Sequence, residues 1–443
     1  MSERIGIVGG GLLGMMLALR FRQQGHEVTI LEAAPELGGL AATWQLGDIH
    51  WDKHYHVILL SDQHVGNLLA ELGLKDQMRW VQTKTGFYTD GKMYSMSNSV
   101  EFLKFPPLRL IDKFRLGATI MRASKIKNWQ KLEQIPVVDW LKRWSGRRTT
   151  EKIWIPLLRA KLGDSYESAS AAFIWAIIAR MYAARRSGLK QEQFGYVQGG
   201  YATILQRFQQ HLEQLGVEIL TNTPTQQVRS SQAGPEIVTN NGEHSFDRVV
   251  VTTAAPIARR LLPELTAAEQ LTLDQVKYQG IVCASILLKK PLDRYYVTNI
   301  TDTWVPFTAV IEMTTLVDPQ EFGGKTLVYL PKYVAPNDPM FEEPEEQIKE
   351  RFLAALARMY PHFQREDVLA FQLSRVRNVF AISTLNYSQH VPPVTTSVPG
   401  VYLLNSSHIV NGTLNVNETL QLAETGWKTV LNSHQNQLQG VGA

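Results

Sequence analysis

What the chain is short of narrows its class first. A single cysteine, Cys283, stands among 443 residues, so no internal disulfide can form. Its strand-like apolar neighbours, Ile281 to Leu288, make it an inert core thiol rather than a nucleophile. No run reaches the ~18 uninterrupted apolar residues of a spanning helix; the longest candidate, Ala169 to Tyr182, is broken by Arg180. A glycine-rich turn opens a few residues after Met1, so no signal peptide is expected, and the default location is the cytoplasm. Charged residues are 19% and the net charge is +4, ordinary globular usage. There is no internal repeat, no low-complexity linker and no nucleic-acid recognition module, so no nucleic-acid partner is expected. No His, Cys or carboxylate set has metal-ligand spacing, and no metal is expected either. The length exceeds the ~250–300 residues at which single cores stop growing, which implies two domains.

What is there begins at once. Ile5-Gly-Ile-Val-Gly9-Gly-Gly11-Leu12-Leu13-Gly14 reads as a strand, a glycine turn and the start of a helix. A second strand, Val28 to Leu31, ends at the acidic Glu32. Gly9 permits the tight turn, Gly11 lets backbone approach a pyrophosphate, and Gly14 lets helix and strand pack closely. The helix amino terminus offers free N–H groups and partial positive charge to the phosphates. Glu32 follows Gly14 by 18 residues, near the ~20 expected for a carboxylate accepting from ribose hydroxyls. A carboxylate rather than an arginine there disfavours a 2′-phosphate, leaving FAD or NAD. The second glycine pair, Gly38-Gly39, directly after Glu32 and Ala33, favours FAD by offering a second close backbone approach.

Several separated segments then carry a family resemblance. They are Trp51-Asp-Lys-His54-Tyr55-His56, Gly199-Gly200-Tyr201 with Gln227-Val228, Asp247 to Pro256 with Thr253, Pro291 to Tyr296, Val310-Ile-Glu312, Leu327-Val-Tyr329, Pro399 to Ser406, and Asn415-Val416-Asn417-Glu418. In this order the chain resembles the FAD-dependent amine oxidase superfamily, and within it the protoporphyrinogen oxidase-like branch. The resemblance implies an α/β fold: a Rossmann-type FAD domain of discontinuous segments plus a mixed-sheet and helical (α+β) substrate domain. It implies an FAD-dependent oxidoreductase that takes a hydride from a small organic molecule to flavin N5. It places His54, Tyr55 and His56 against the isoalloxazine ring, Val228 and Thr253 around the nucleotide, and Asn405, Ser406, Leu414, Asn415 and Val416 where the flavin site closes. Two departures stand out. Leu40 follows the second glycine pair where the family commonly has Arg, and Asn405-Ser406 stand where it usually has Gly-Asp. An amide and a hydroxyl can still bond a ribityl hydroxyl.

The nucleotide elements fall at the beginning, middle and end of the chain. Residues 1–75, 195–285 and 395–443 are therefore expected to form the FAD domain, and 76–194 with 286–394 the substrate domain. A helix is predicted after Glu342-Glu-Pro344 from the spacing of Ile348, Phe352, Leu353 and Leu356.

Candidate chemistry follows. His56 would contact flavin or substrate and titrate near neutrality. Glu312, in an apolar strand-like run, is a costly carboxylate unless paired or functional, and is the candidate substrate-facing acid or base. Arg159 and Lys161 would clamp an anionic group, and Tyr329 and Tyr387 are candidate cavity aromatics. The helix starting near Asn415 would aim its amino terminus at the flavin N1–C2 edge, capped by Asn415 or Asn417. Between Lys104 and Lys161 there are 15 Lys or Arg against four Asp or Glu, interleaved with Trp129, Trp140, Trp144 and Trp154. A solvated helix face, peripheral docking on the inner membrane face and steering of an anionic substrate all fit that run. Two other functional classes stay open: a non-redox flavoenzyme resembling the UDP-galactopyranose mutases, and a flavin-binding protein without catalysis.

Overall fold

The computed structural model describes residues 2–183 and 193–440. The chain builds a mixed α/β architecture around two sheets. The first is five-stranded and wholly parallel, in the order Val401–Leu403, Arg248–Val251, Arg4–Val8, Glu27–Leu31, Glu218–Leu220. Ile5, Ile7, Val28, Ile30, Val249 and Val250 are buried on both faces, as parallel strands sandwiched between helices require. Helix Leu12–Gln23 returns the chain from the first strand to the second and packs along the long carboxy-terminal helix Val416–Gly440. The strand Arg4–Val8 lies between Glu27–Leu31 on one side and Arg248–Val251 on the other, so connections depart in opposite directions there. That switch point opens a crevice beyond the carboxyl ends of the strands.

The second sheet has seven strands, in the order Val368–Ala381, Tyr278–Leu288, Thr326–Val334, Ala309–Glu312, Val297–Ile300, Thr85–Thr89, Lys92–Ser95. All neighbours are antiparallel except Val297–Ile300 against Thr85–Thr89. Side-chain alternation divides its two faces. Ile281, Cys283, Ile311, Leu327, Tyr329 and Tyr333 share one apolar cluster with the helices between residues 137 and 183. Val282, Ala284, Val310, Val328 and Leu330 pack instead on Glu345–Met359, the helix predicted from spacing, through Ile348, Phe352, Leu353 and Leu356. The strand Tyr278–Leu288 belongs wholly to this sheet, pairing on both sides along its length. An expected domain boundary at residue 285 therefore falls inside a strand; the change of sheet comes before Tyr278.

Residues 51–57 run from a two-stranded ribbon, Thr43–Leu46 with Ile49–Asp52, onto the face of the large sheet. The Tyr329 hydroxyl donates to the Asp52 carbonyl at 2.6 Å, and the Tyr55 and Tyr333 hydroxyls bond at 2.7 Å. Cys283 is fully buried in the same layer, its thiol pushed up by burial, which accords with an inert core role.

The closest backbone approach in the nucleotide half is at Gly14, where an added Cβ would collide with the Gly9 carbonyl oxygen. Gly14→Ala is expected to cost about 1–3 kcal/mol through this overpacking. A thermal melt of the variant, unchanged from the parent, would show that helix and strand can part without penalty.

Candidate active site

Two glycine turns meet at the crevice. Gly38 N–H donates to the Gly10 carbonyl at 2.9 Å, and Gly11 bridges Gly38 in parallel register. Gly9, Gly38 and Gly39 take positive φ of 107°, 124° and 57°, conformations that L side chains resist. Gly39 packs on Gly11: a Cβ added to Gly39 would sit 3.2 Å from the Gly11 Cα. Gly11 itself differs. Its φ is −70°, and a Cβ there would meet nothing nearer than Gly39 Cα at 3.9 Å. The space above it is open. No side chain caps the helix that begins at Leu12, so its amino terminus faces that space with N–H groups free of side-chain acceptors.

Of the other expected nucleotide contacts, Glu32 and Thr253 lie at this floor. Glu32 accepts from Gly10 N–H at 2.6 Å and from Ala34 N–H at 2.8 Å, keeping lone pairs for a further donor. Leu12 and Leu13 are buried beneath the turn, whereas Ala33 and Gly39 are exposed. Thr253 follows the strand end beside Gly9, and its buried Oγ1 has no partner among the described residues. Val228 is buried in one cluster with Val8 and Leu31. Asn405 is fully buried, and its amide works inside the protein: Nδ2 donates to the Thr253 carbonyl at 2.8 Å, and Oδ1 accepts from Ser407 N–H and Oγ–H. The expected amide contact to a ribityl hydroxyl is thus turned inward, while Ser406 lies 3.4 Å from the Tyr278 hydroxyl. Asn415 caps helix Val416–Gly440 by accepting from Glu418 N–H at 3.1 Å. Asn417 does not cap; its Oδ1 accepts from His64 N–H at 2.9 Å.

The segment 53–57 is half-buried. His54 bonds the Leu40 carbonyl at 3.3 Å through Nδ1, and its buried Nε2 is unpartnered. Burial first, then the neighbouring His56, lowers its pKa to about 4, so it stays neutral. His56 Nδ1 faces Asp52 Oδ2 at 3.7 Å, and its ring packs on Tyr201 with centroids 4.7 Å apart. Asp52 is buried, and its Oδ1 accepts from Tyr201 N–H at 2.9 Å. The i,i+4 spacing of Asp52 and His56 was visible in the sequence; the pairing was not recognised there.

Tyr329, Tyr333 and Phe380 belong with Tyr55 and Leu414 to one apolar layer. Lys161 is partly buried, with its Nζ 3.7 Å from the Tyr333 ring centroid and 5.2 Å from that of Phe380. No carboxylate ion-pairs with it among the described residues, and burial lowers its pKa to about 7. Tyr333 escaped the sequence reading, although strand parity puts it on the face of Tyr329. Arg159 lies elsewhere, exposed, against the Tyr166 hydroxyl at 3.2 Å and Asp164 at 3.8 Å. Tyr387 is buried and donates to the Ser407 carbonyl at 2.7 Å, so it serves a turn rather than this aromatic layer.

Glu312 is not brought to the others. Ile311 shares the face of Tyr329, whereas Glu312 pairs with Val328 and points to the layer covered by Glu345–Met359. Its Oε2 accepts from Asp293 N–H at 2.9 Å, its Oε1 is unpartnered, and burial raises its pKa to about 8. Protonation and a loop N–H together offset the cost of burying the carboxylate.

A glycine-floored crevice at a topological switch point, with a carboxylate at the end of the second strand and a second chain segment laid alongside, has the form of a dinucleotide-binding site. The sequence profile of the flavin containing amine oxidoreductases matches residues 14–415, and the chain belongs to that family. It is an FAD-dependent oxidoreductase. A zeta-carotene desaturase of Synechocystis sp. is 23% identical over 411 residues, covering 81% of this chain and 83% of that protein. The plant 15-cis-phytoene desaturases it also matches are covered over about half their length. Among solved structures, a protoporphyrinogen oxidase-like protein of Exiguobacterium sp. 255-15 superposes with a TM-score of 0.76 at 18% identity, covering 97% and 99% of the two chains. A reduced UDP-galactopyranose mutase reaches 0.74 at 15% identity, covering 97% and 96%. The frame is therefore shared beyond one reaction. FAD fits the residues present: the open space over Gly11 is the cradle its pyrophosphate needs, and the unpartnered Thr253 Oγ1 supplies a polar contact beside it.

Two predictions follow from these placements. Gly11→Val should fold with an unaltered apo-protein melting temperature but retain no flavin after purification, because its backbone conformation suits any residue while the side chain fills the cradle. Undiminished flavin absorbance would move the pyrophosphate elsewhere. For Glu312, the raised pKa means stability is full below about 4.5 and declines as pH rises through about 8. Glu312→Gln should flatten the pH dependence of the melting temperature across that window and leave flavin reduction intact; a large loss of reduction rate would return Glu312 to the chemistry.

Proposed function

We propose that this oxidoreductase dehydrogenates an apolar organic substrate that carries no positive charge, taking hydride from a carbon against the aromatic layer of Tyr55, Tyr329, Tyr333 and Phe380. The observation that carries the reading is Lys161, an amine held over Tyr333 with no carboxylate ion-paired to it among the described residues. A cationic amine entering that layer would meet like charge in a poorly solvated site, which is costly. A neutral polyene or a substrate with a carboxylate or phosphate end meets no such penalty. The name of the zeta-carotene desaturase relative supports the neutral, apolar alternative.

Within the reading, the bound FAD supplies the two-electron acceptor for the hydride. The remaining work belongs to the chain. Tyr55 and Tyr333, locked by their shared hydrogen bond, and the buried Tyr329 present rigid aromatic surface that excludes water and fixes the substrate. His54 stays neutral and ties the strap to Leu40. His56 is the group to take the proton that leaves the substrate alongside the hydride, at Nε2, while its Nδ1 is turned to Asp52 at 3.7 Å. Lys161 orients the substrate's polar or anionic end. Gly9, Gly11, Gly14, Glu32, Gly38, Gly39, Val228 and Thr253 hold the nucleotide half, and Leu414, Asn415 and Val416 close the ring end. Peripheral contact of the basic stretch 104–161 with a membrane is the matching route for an apolar substrate.

The test is anaerobic mixing of the oxidised holoprotein with polyenes, porphyrinogen-type carboxylates and diamines, following flavin bleaching. Bleaching by the first or second class with two electrons per substrate is expected, and reduction by diamines alone would overturn the reading. A substrate rearranged without net electron loss would point to mutase-type chemistry instead. With an anionic donor, Lys161→Met should raise the half-saturating concentration about tenfold, equivalent to ~1.4 kcal/mol. In the parent that affinity should fall as pH rises through about 7, where Lys161 loses its charge.

A further inference from the structure

Helix Leu110–Ala123 is amphipathic with the wrong side out. Its inner face, Asp112, Lys113, Leu116, Thr119 and Ala123, is buried against helices Val137–Ser145 and Ala171–Ala183. Its outer face carries Leu110, Ile111, Phe114 and Met121, exposed by 61%, 66%, 65% and 56%. At about 100° per residue, Leu110, Phe114 and Met121 fall within about 40° of one another, and Ile111 lies beside them. Exposed single apolar residues are ordinary on a surface; a row of four along one helix is not. Leu103 and Val100, on the preceding helix Ser99–Lys104, are exposed as well, and Lys113 Nζ donates to the Leu103 carbonyl at 2.7 Å.

Cations border this row. Lys104, Arg109, Arg115, Arg122, Lys125 and Lys127 are all exposed, and the only acidic residue between Lys104 and Lys127 is the buried Asp112. Arg122 lies along its edge with its guanidinium 3.7 Å over the Trp144 ring. A protein partner would need a groove for the apolar row and an acidic rim all round it. An anionic bilayer offers both without further specification: acyl chains for Leu110, Ile111, Phe114 and Met121, and negative headgroups for the border. No helix among the described residues is long and apolar enough to cross a membrane, so the contact is one of lying in the interface.

We propose that the outer face of Leu110–Ala123 is a membrane-docking surface that seats on anionic lipid through Leu110, Ile111, Phe114 and Met121. This rests on the peripheral contact inferred for the stretch 104–161 and narrows it to one helix face; it is independent of the dehydrogenation chemistry. The geometry adds a reason for the placement. Trp175 in the helix behind donates its indole N–H to the Ala123 carbonyl at 3.0 Å, and Ile120 packs on the cluster that contains Tyr55, Tyr329 and Tyr333. One layer of helices separates the docking face from the aromatic layer.

The experiment is flotation of the purified holoprotein with vesicles of phosphatidylcholine alone or with phosphatidylglycerol added. Flotation with the mixed vesicles, weakened by raised salt, is expected. Ile111→Ser/Phe114→Ser/Met121→Ser should lower vesicle partitioning about tenfold while the flavin spectrum, which reports a folded site, is unchanged. Arg115→Gln/Arg122→Gln/Lys125→Gln should remove the preference for phosphatidylglycerol. Failure to float with either vesicle, equal flotation with both, or a stable dimer in light scattering that the serine variant dissolves would each overturn the proposal. Flavin reduction by substrate in detergent solution is measured alongside, so a failure of docking and a failure of the redox reading are told apart.

Discussion

The constraint on which the rest depends is the contact between two glycine turns, Gly10 carbonyl to Gly38 N–H at 2.9 Å. It presses the segment after the second strand against the turn after the first. That makes one continuous backbone floor of two short stretches separated by nearly thirty residues. Positive φ at Gly9, Gly38 and Gly39, and at Gly39 the close approach to Gly11, disfavour side chains there, while the space over Gly11 stays open. Polar groups at this floor include backbone N–H, the Thr253 hydroxyl and the Glu32 carboxylate, chemistry suited to a diphosphate and a ribose.

The second governing feature is the parity of the large sheet. A strand offers alternate residues to opposite layers, so a single step along the chain decides between aromatic layer and helix layer. Ile311 and Glu312 are adjacent, yet one packs with Tyr329 and the other beside Val328. The same rule gathers Tyr329 and Tyr333 on one face, and the helix behind brings Lys161 over Tyr333. The site is thus a product of sheet register and of the strap at residues 51–57, held by Tyr329 to Asp52 and by Tyr333 to Tyr55.

Much of this was legible in the sequence where the cause is local. The turn at Gly9 to Gly14, the carboxylate at Glu32 and the helix Glu345–Met359 each follow from spacing within one or two elements. Asn415 as a cap was legible for the same reason. What was not legible depends on partners far along the chain. Tyr55 meets Tyr333 across 278 residues, and no pattern near either announces the other. Glu312 looked functional because a carboxylate in an apolar run is expensive, but the run does not say which layer its even positions face. Asn405 and Tyr387 were polar groups in the right region whose bonds proved to be committed to Thr253, Ser407 and the backbone. Composition and hydropathy marked the basic stretch from 104 to 161 without separating its inner from its outer surfaces, since that depends on which helices cover it.

The five-stranded parallel sheet draws its strands from residues 4–31, 218–251 and 401–403, and the helix beginning at Val416 packs along the first helix. A ribosome therefore delivers the opening turn long before the strand and helix that wall it in. Contacts of such separation form late and slowly, and domains built this way assemble only when their last segment arrives. Cofactor capture must accordingly be an event of the finished polypeptide, not of its synthesis. Until then the apolar strands at the amino terminus stand uncovered, so flavin capture and escape from aggregation depend on the same late assembly step.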